Sequence, residues 1–177
     1  MRDLNAAANI AIISATVGVI VVAVVDVASA VHSLPAATSP YGRASPTLIS
    51  GGKAPVVGDV DYGCARRTLV LFLSVHCRYC KLGSPFYRDV AAQVAHNRDV
   101  QIAAAFPQGR GEVSEYAARE RLPVKLLSGI RFVPLGVSST PTEILVDQKG
   151  LLVHAWVGTP DEGVRKDILA RLFSGAH

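Results

Sequence analysis

The chain has 177 residues, 50% of them hydrophobic, and carries a formal net charge of +4 at pH 7. This length suits one ordinary domain with additional segments. The basic residues are scattered singly rather than grouped in a run. The distribution of basic residues therefore does not indicate a nucleic-acid-binding surface, and we expect no nucleic-acid partner.

The first element in chain order is an uncharged apolar block from Ala6 to Val25. Its length matches the roughly 20 residues that an α-helix needs to cross a bilayer. Arg2 precedes the block and Asp26 closes it, a charge order that places the N-terminus in the cytoplasm and the rest of the chain outside. Residues 1–31 are therefore predicted to form a transmembrane anchor. A removable signal peptide is the alternative, because Ala28-Ser29-Ala30 fits a cleavage site.

Residues 32–50 are predicted to be a flexible linker. The stretch 32–55 is rich in Pro, Ser, Ala and Gly and shows no hydrophobic period. The remaining residues, 51–177, are long enough to bury a proper core and are assigned to one domain.

Within this domain, strand and helix patterns alternate. The apolar runs Thr68–Val75 and Val100–Phe106 predict two strands that are buried on both faces. Between them, Cys80–His96 has the spacing of a helix, whose predicted buried stripe consists of Leu82, Phe86, Val90 and Val94. The later predicted elements are a helix over Glu112–Leu122, an edge strand over Val124–Leu127, a hairpin of Glu143–Val146 and Leu151–Val157, and a last helix with Thr159 as its N-cap. This order predicts an α/β domain whose mixed central sheet is flanked by helices on both faces.

Cys77 and Cys80 form a Cys-x-x-Cys motif directly after the first predicted strand and at the start of the first predicted helix. Unpaired N–H groups and a positive partial charge at a helix N-terminus stabilise a thiolate and lower the pKa of a cysteine there. Cys80, one turn further on, is placed to attack a mixed disulfide on Cys77. The placement therefore predicts a redox centre.

Two structural uses of this pair fit the sequence less well. Structural zinc usually needs four ligands, and the further candidates are Cys64 and a histidine such as His76, without a recognisable spacing. A disulfide that only staples the chain would close a very small loop, so it would remove little entropy from the unfolded chain.

The strand–Cys-x-x-Cys–helix unit is accompanied by Pro85 within the helix and by Ser139-Thr140-Pro141-Thr142 before the hairpin. Together these features resemble the thioredoxin superfamily over residues 50–175. The segment STPTEILVDQKGLLVHAWVG looks most like the membrane-tethered, extracytoplasmic thioredoxins of the TlpA/ResA type. The resemblance implies a thioredoxin fold, in which Pro85 matches the kink proline of the active-site helix.

The resemblance also implies a thiol-disulfide oxidoreductase that uses no organic cofactor and no metal. In that family Cys77 would be the attacking thiolate and Cys80 the resolving thiol. Pro141 would be cis, and the backbone of Thr140 would pair with a substrate strand. The implied partners are protein thiols or disulfides and a membrane thiol carrier, on the extracytoplasmic (periplasmic) face of the membrane.

One departure from the family pattern lies next to the first cysteine. His76 stands where the family usually has Trp or another bulky residue. A protonated His76, with Arg78, is expected to stabilise the Cys77 thiolate and make the pair more oxidising. The alternative is that both side chains are solvated and have little effect.

A second departure concerns the buried acid that thioredoxins carry six residues before the first cysteine, where this chain has Leu71. Glu143 interrupts the apolar strand after Pro141, at a position where the family has an aliphatic residue. We predict that Glu143 approaches Cys80 and takes over proton transfer with a raised pKa. The alternative is a side chain that turns to solvent or to a basic residue.

Cys64 has no obvious partner and is expected to be a buried bystander, with an intermolecular disulfide or exchange with Cys77 as alternatives. Two other functions stay open. A peroxiredoxin-like peroxidase would need a Thr three residues before its reactive cysteine, and Ser74 stands there. A copper- or zinc-binding module would use the cysteine pair as metal ligands.

Overall fold

The computed structural model describes residues 48–174. The predicted anchor over residues 1–31 lies outside the described residues, as does most of the predicted linker. Within 48–174, no helix is both long enough and apolar enough to cross a membrane. Of the last linker residues, Leu48 is buried in the core of the domain, whereas Ile49 is exposed.

The described chain contains five strands and three α-helices in the predicted order. The strands are β1 (Arg67–Phe72), β2 (Val100–Ala105), β3 (Lys125–Leu127), β4 (Thr142–Asp147) and β5 (Leu152–Val157). The helices are α1 (Arg78–Val94), α2 (Arg110–Glu120) and α3 (Glu162–Phe173). Short 3₁₀ turns occupy Tyr62–Cys64 and Val133–Leu135. Each element lies within a few residues of the predicted one.

The five strands form one mixed sheet in the order β3-β2-β1-β4-β5. β1 pairs in parallel with β2, and β2 in parallel with β3. β4 runs antiparallel to β1 and forms the predicted hairpin with β5. β1 is therefore a central strand, which explains why its run of apolar residues is buried on both faces.

The prediction of helices on both faces of the sheet is wrong for the described residues. Side chains of all three helices share one buried cluster, represented by Tyr87 from α1, Tyr116 from α2 and Ile168 from α3. The physical reason is the strand order. Both parallel crossovers step in the same direction along the sheet, and right-handed crossovers that step the same way place their helices on the same face.

Among residues 48–174, no α-helix contributes to the buried cluster on the opposite face of the sheet. This cluster joins Val70 and Phe72 of β1 to Val57 and Val60 from the segment before β1. The ring of Phe132, from the loop after β3, packs edge-on against Phe72 at 5.3 Å between centroids. Two irregular segments therefore close this second layer of the core.

Two local predictions about the helices need correction. Phe86, Val90 and Val94 of the predicted stripe of α1 are buried, but Leu82 is exposed, and Tyr87, which was not predicted, is fully buried. The last helix begins at Glu162, and its N-cap is Asp161, whose carboxylate accepts a hydrogen bond from the N–H of Val164 at 2.9 Å. Thr159 instead donates its hydroxyl to the carbonyl of Tyr79 at 3.2 Å.

Candidate active site

The two cysteines lie at the carboxyl end of β1, where the chain turns into α1. Cys77 is the N-cap of α1, and its sulfur accepts a hydrogen bond from the N–H of Cys80 at 3.1 Å. Cys77 is partly exposed, whereas Cys80 is fully buried, and both are free thiols. The first turn of the helix thus presents one sulfur outward and keeps the other beneath it.

The surroundings push the pKa values of the two thiols in opposite directions. Burial raises the pKa of Cys77. Hydrogen bonds with the Cys80 thiol, with the Thr140 side chain and with backbone N–H groups outweigh burial, so the pKa of Cys77 lies below the usual cysteine value. Burial raises the pKa of Cys80 well above that value, and the neighbouring Cys77 sulfur raises it further. Cys77 is therefore the group that ionises first.

Thr140 and Pro141 lie beside the sulfur of Cys77. The peptide bond between Thr140 and Pro141 is cis, and the thiol of Cys77 donates to the carbonyl of Thr140 at 3.4 Å. Sheet pairing creates this contact, because Thr142 at the start of β4 is aligned with Phe72 at the end of β1. Residues 63 positions apart in the chain thus meet at one end of the sheet.

Glu143 is fully buried in the sheet, directly opposite Leu71. The antiparallel register pairs Glu143 with Leu71 on one side and with Trp156 on the other. The hydroxyl of Tyr87 donates a hydrogen bond to Oε1 of Glu143, and Oε2 has no hydrogen-bond partner. Burial raises the pKa of Glu143 to about 8 against the opposing effect of the Tyr87 hydrogen bond. Glu143 on β4 therefore lies beside Leu71 on β1, the position at which thioredoxins carry their buried acid.

His76 and Arg78 flank Cys77 without enclosing it. Nε2 of His76 lies 3.5 Å from Oε1 of Glu112 at the start of α2, and the His76 side chain is 76% exposed. The contact that the His76 side chain makes is thus with Glu112 rather than with the sulfur of Cys77.

The sequence analysis missed three residues that support the site. Gln108 donates to the hydroxyl of Ser74 at 2.8 Å and accepts from the N–H of Val75 at 3.4 Å, and so holds the loop that leads to Cys77. Gly83 and Tyr87 lie on the buried side of α1. A signal for Tyr87 was present, since it lies seven residues, or about two helical turns, after Cys80.

Cys64 is exposed, so its predicted burial is wrong. Its thiol donates to the carboxylate of Asp61 at 3.1 Å, and that contact raises the pKa of the Cys64 thiol. Cys64 precedes β1 and Cys77 follows it, so a strand of six residues separates them. At about 3.3 Å per residue this is about 20 Å, which rules out a direct disulfide between them in this fold.

Among the described residues, the cysteines do not belong to a cluster of three or more potential metal ligands. Within residues 48–174, no cluster of three or more His, Cys, Asp or Glu side chains has an arrangement that could hold a metal ion. The histidine that the zinc alternative would use, His76, faces Glu112 instead.

No family model and no curated protein sequence matches the chain. Solved structures do match it. A protein from Chlorobium tepidum that is named as a thiol:disulfide interchange protein DsbE has 22% identity and a TM-score of 0.60, over 71% of this chain and 99% of its own. The thioredoxin domain of a thiol-disulfide oxidoreductase from Bacteroides vulgatus has 16% identity and a TM-score of 0.57, over 71% and 99%.

StoA from Bacillus subtilis also matches, with 14% identity and a TM-score of 0.53, over 64% of this chain and 97% of its own. The chain therefore has the thioredoxin fold, as the sequence predicts. The first two of these structures are named as a thiol:disulfide interchange protein and as the thioredoxin domain of a thiol-disulfide oxidoreductase, and all three are matched over almost their whole length.

Proposed function

We propose that the protein is a thiol-disulfide oxidoreductase that exchanges disulfides with protein cysteines through Cys77 and Cys80. The observation that carries the proposal is the asymmetry of the pair. Cys77 is accessible and has a lowered pKa, whereas Cys80 is buried and has a raised pKa. The two roles need this difference. The thiolate is the attacking form, so the nucleophile must ionise readily, whereas the resolving thiol should stay protonated until a mixed disulfide has formed.

In the reducing direction the reaction has two exchange steps. The Cys77 thiolate attacks one sulfur of a substrate disulfide, forms a mixed disulfide and releases the other substrate sulfur as a thiolate. Cys80 then loses its proton and attacks the Cys77 sulfur, which forms the Cys77–Cys80 disulfide and releases the second substrate thiolate. The two electrons of the pair reduce the substrate disulfide, and the opposite direction oxidises a substrate dithiol.

The proton of Cys80 goes to Glu143 in this mechanism. Glu143 lies on β4, two residues after Pro141, and is aligned with Leu71 on the strand that leads to Cys77. It is buried, it keeps one oxygen without a partner, and its raised pKa lies near neutral pH. A carboxyl of that pKa is suited to accept a proton in one direction and return it in the other.

The cellular setting is part of the same proposal. The apolar block from Ala6 to Val25 would anchor the chain in the membrane, with the thioredoxin-like domain on the extracytoplasmic face. The domain would then exchange electrons with exported proteins in one half-reaction and with a membrane thiol carrier in the other.

Trapping of the mixed disulfide tests the function directly. The full-length chain is incubated with a disulfide-bonded protein, and the products are separated without reductant. We expect Cys80→Ser to accumulate a mixed disulfide at Cys77 and Cys77→Ser to form none. Cys64→Ser is the matched control, because it removes an exposed thiol far from the pair, and it should behave as the unaltered chain does.

Two results would point to the other functions. Consumption of peroxide at rates typical of a thiol peroxidase, without exchange on a protein disulfide, would favour the peroxiredoxin-like alternative. Stoichiometric copper or zinc in the purified full-length chain, lost in Cys77→Ser, would favour the metal-binding module. A redox titration of the Cys77–Cys80 pair then gives the direction of electron flow, since a potential near that of thioredoxin implies a reductant.

A further inference from the structure

The side chain of Tyr87 extends along α1 toward the N-terminus of the helix and contacts Glu143. Its hydroxyl donates to Oε1 of Glu143, across 56 positions of sequence. Side chains on a helix lean toward its N-terminus, so the ring extends from Tyr87 over Gly83 and toward Cys80. The phenol therefore lies on the same side of the helix as the buried thiol.

Gly83 leaves the space that the tyrosine ring occupies. A Cβ at Gly83 would lie 2.8 Å from Cε2 of Tyr87 and 2.9 Å from both Cζ and the hydroxyl oxygen. These distances are shorter than ordinary carbon contacts, so a Cβ there would require a shift of the Tyr87 ring or of the helix. Because Tyr87 is fully buried, we expect a residue larger than glycine to displace the phenol from Glu143.

We propose that Gly83 and Tyr87 act together as a positioning device that holds Glu143 through Oε1 and leaves Oε2 as the oxygen that exchanges a proton with Cys80. The inference rests on the proposed function and assigns a role to two residues outside the Cys-x-x-Cys motif. In the reducing direction the Cys80 thiol transfers its proton to the Glu143 carboxylate and becomes the attacking thiolate. In the oxidising direction the protonated carboxyl returns that proton when Cys80 is released as a thiolate.

The titratable groups around this site come from several elements. Tyr87 interacts electrostatically with Glu143, Cys80 and Tyr116, and Tyr116 interacts likewise with Cys80 and Cys77. The flanking strands supply Leu71 and Trp156, which do not titrate in the relevant range. No Lys or Arg hydrogen-bonds or forms an ion pair with Glu143 among residues 48–174. Its ionised form is stabilised first by the Tyr87 hydroxyl and second by its own backbone N–H.

The first test measures the ionisation of Glu143 itself. Carboxyl carbons of the reduced full-length chain are followed by NMR against pH, and Glu143→Gln identifies the signal. We expect Tyr87→Phe to raise the pKa of Glu143 by about one unit, because a hydrogen bond to a charged group is lost. Tyr116→Phe is the matched control, since it also removes a buried phenol hydroxyl, one that contacts Ser84 at 3.3 Å and not Glu143.

The second test uses the glycine. Gly83→Ala should raise the pKa of Glu143 as Tyr87→Phe does, while Gly111→Ala should leave it unchanged, because a Cβ at Gly111 in α2 meets open space. The rate at which Cys80 resolves a mixed disulfide is measured against pH for the same variants. The midpoint of that profile should move with the pKa of Glu143, and Tyr87→Phe should have no added effect in Glu143→Gln.

The outcomes separate this inference from the proposed function. If the unaltered chain performs disulfide exchange and Tyr87→Phe leaves both the Glu143 titration and the pH profile unchanged, the positioning role is wrong and the oxidoreductase stands. The role is equally wrong if Tyr116→Phe moves the midpoint as far as Tyr87→Phe does. If the unaltered chain performs no exchange at all, the proposed function fails, and the proton transfer to Glu143 fails with it.

Discussion

Replacing Glu143 with glutamine should change how stability depends on pH. Glutamine has almost the same shape and still offers a carbonyl oxygen to the hydroxyl of Tyr87, but it does not titrate. In the native protein, burial raises the pKa of Glu143 from 4.5 to about 8. Between these two pH values the folded state keeps a proton on Glu143 that the unfolded state has lost.

The sign and size of the effect follow from proton linkage. Because the unfolded state binds fewer protons in this range, the free energy of unfolding falls as the pH rises. The difference between 4.5 and about 8 corresponds to about 5 kcal/mol, a large part of the stability of a typical domain. Glu143→Gln should therefore unfold at a similar urea concentration near pH 5 and become clearly more stable than the native protein near pH 8.

The measurement is a series of urea unfolding curves for the two reduced full-length proteins across this range. His154 has a pKa lowered by burial, so it contributes a slope of the opposite sign. That contribution is present in both proteins and cancels in the difference between them. A difference in unfolding free energy that stays constant from pH 5 to pH 8 would refute the assignment of Glu143 as a buried carboxyl protonated near neutral pH.

Three further predictions address the site and its surroundings. Glu143→Leu should abolish the pH dependence of disulfide exchange that Glu143 confers. Adding Leu71→Asp should restore a pH dependence of the exchange, because the two positions are direct cross-strand neighbours with Cβ atoms about 5 Å apart. Asp161→Ala should lower the unfolding free energy by about 1 kcal/mol, measured in urea, and Thr159→Ala by clearly less; equal losses would refute the N-cap assignment. Cys64→Ser should leave the reduction potential of the pair unchanged in a redox titration, and a shifted potential would mean that Cys64 takes part.

The amino-acid sequence by itself determined the elements and the chemical centre. Alternating apolar runs and helical spacing gave the order of strands and helices, because these patterns act over a few neighbouring residues. The position of Cys77 between a strand and a helix indicated a reactive thiol, because the field of a helix N-terminus is also local. Thr140 and Pro141 were recognised as part of the site only through a family resemblance, since they lie far from Cys77 in sequence.

The tertiary structure decided everything that depends on contacts between distant residues. The sequence predicted Thr159 as the N-cap of the last helix, and in the structure Asp161 caps α3 instead. The strand order placed all three described helices on one face. Strand register set Glu143 opposite Leu71, and the space above Gly83 allowed Tyr87 to reach it. These contacts join residues that are far apart in the sequence, so a pattern over neighbouring residues does not identify the partners.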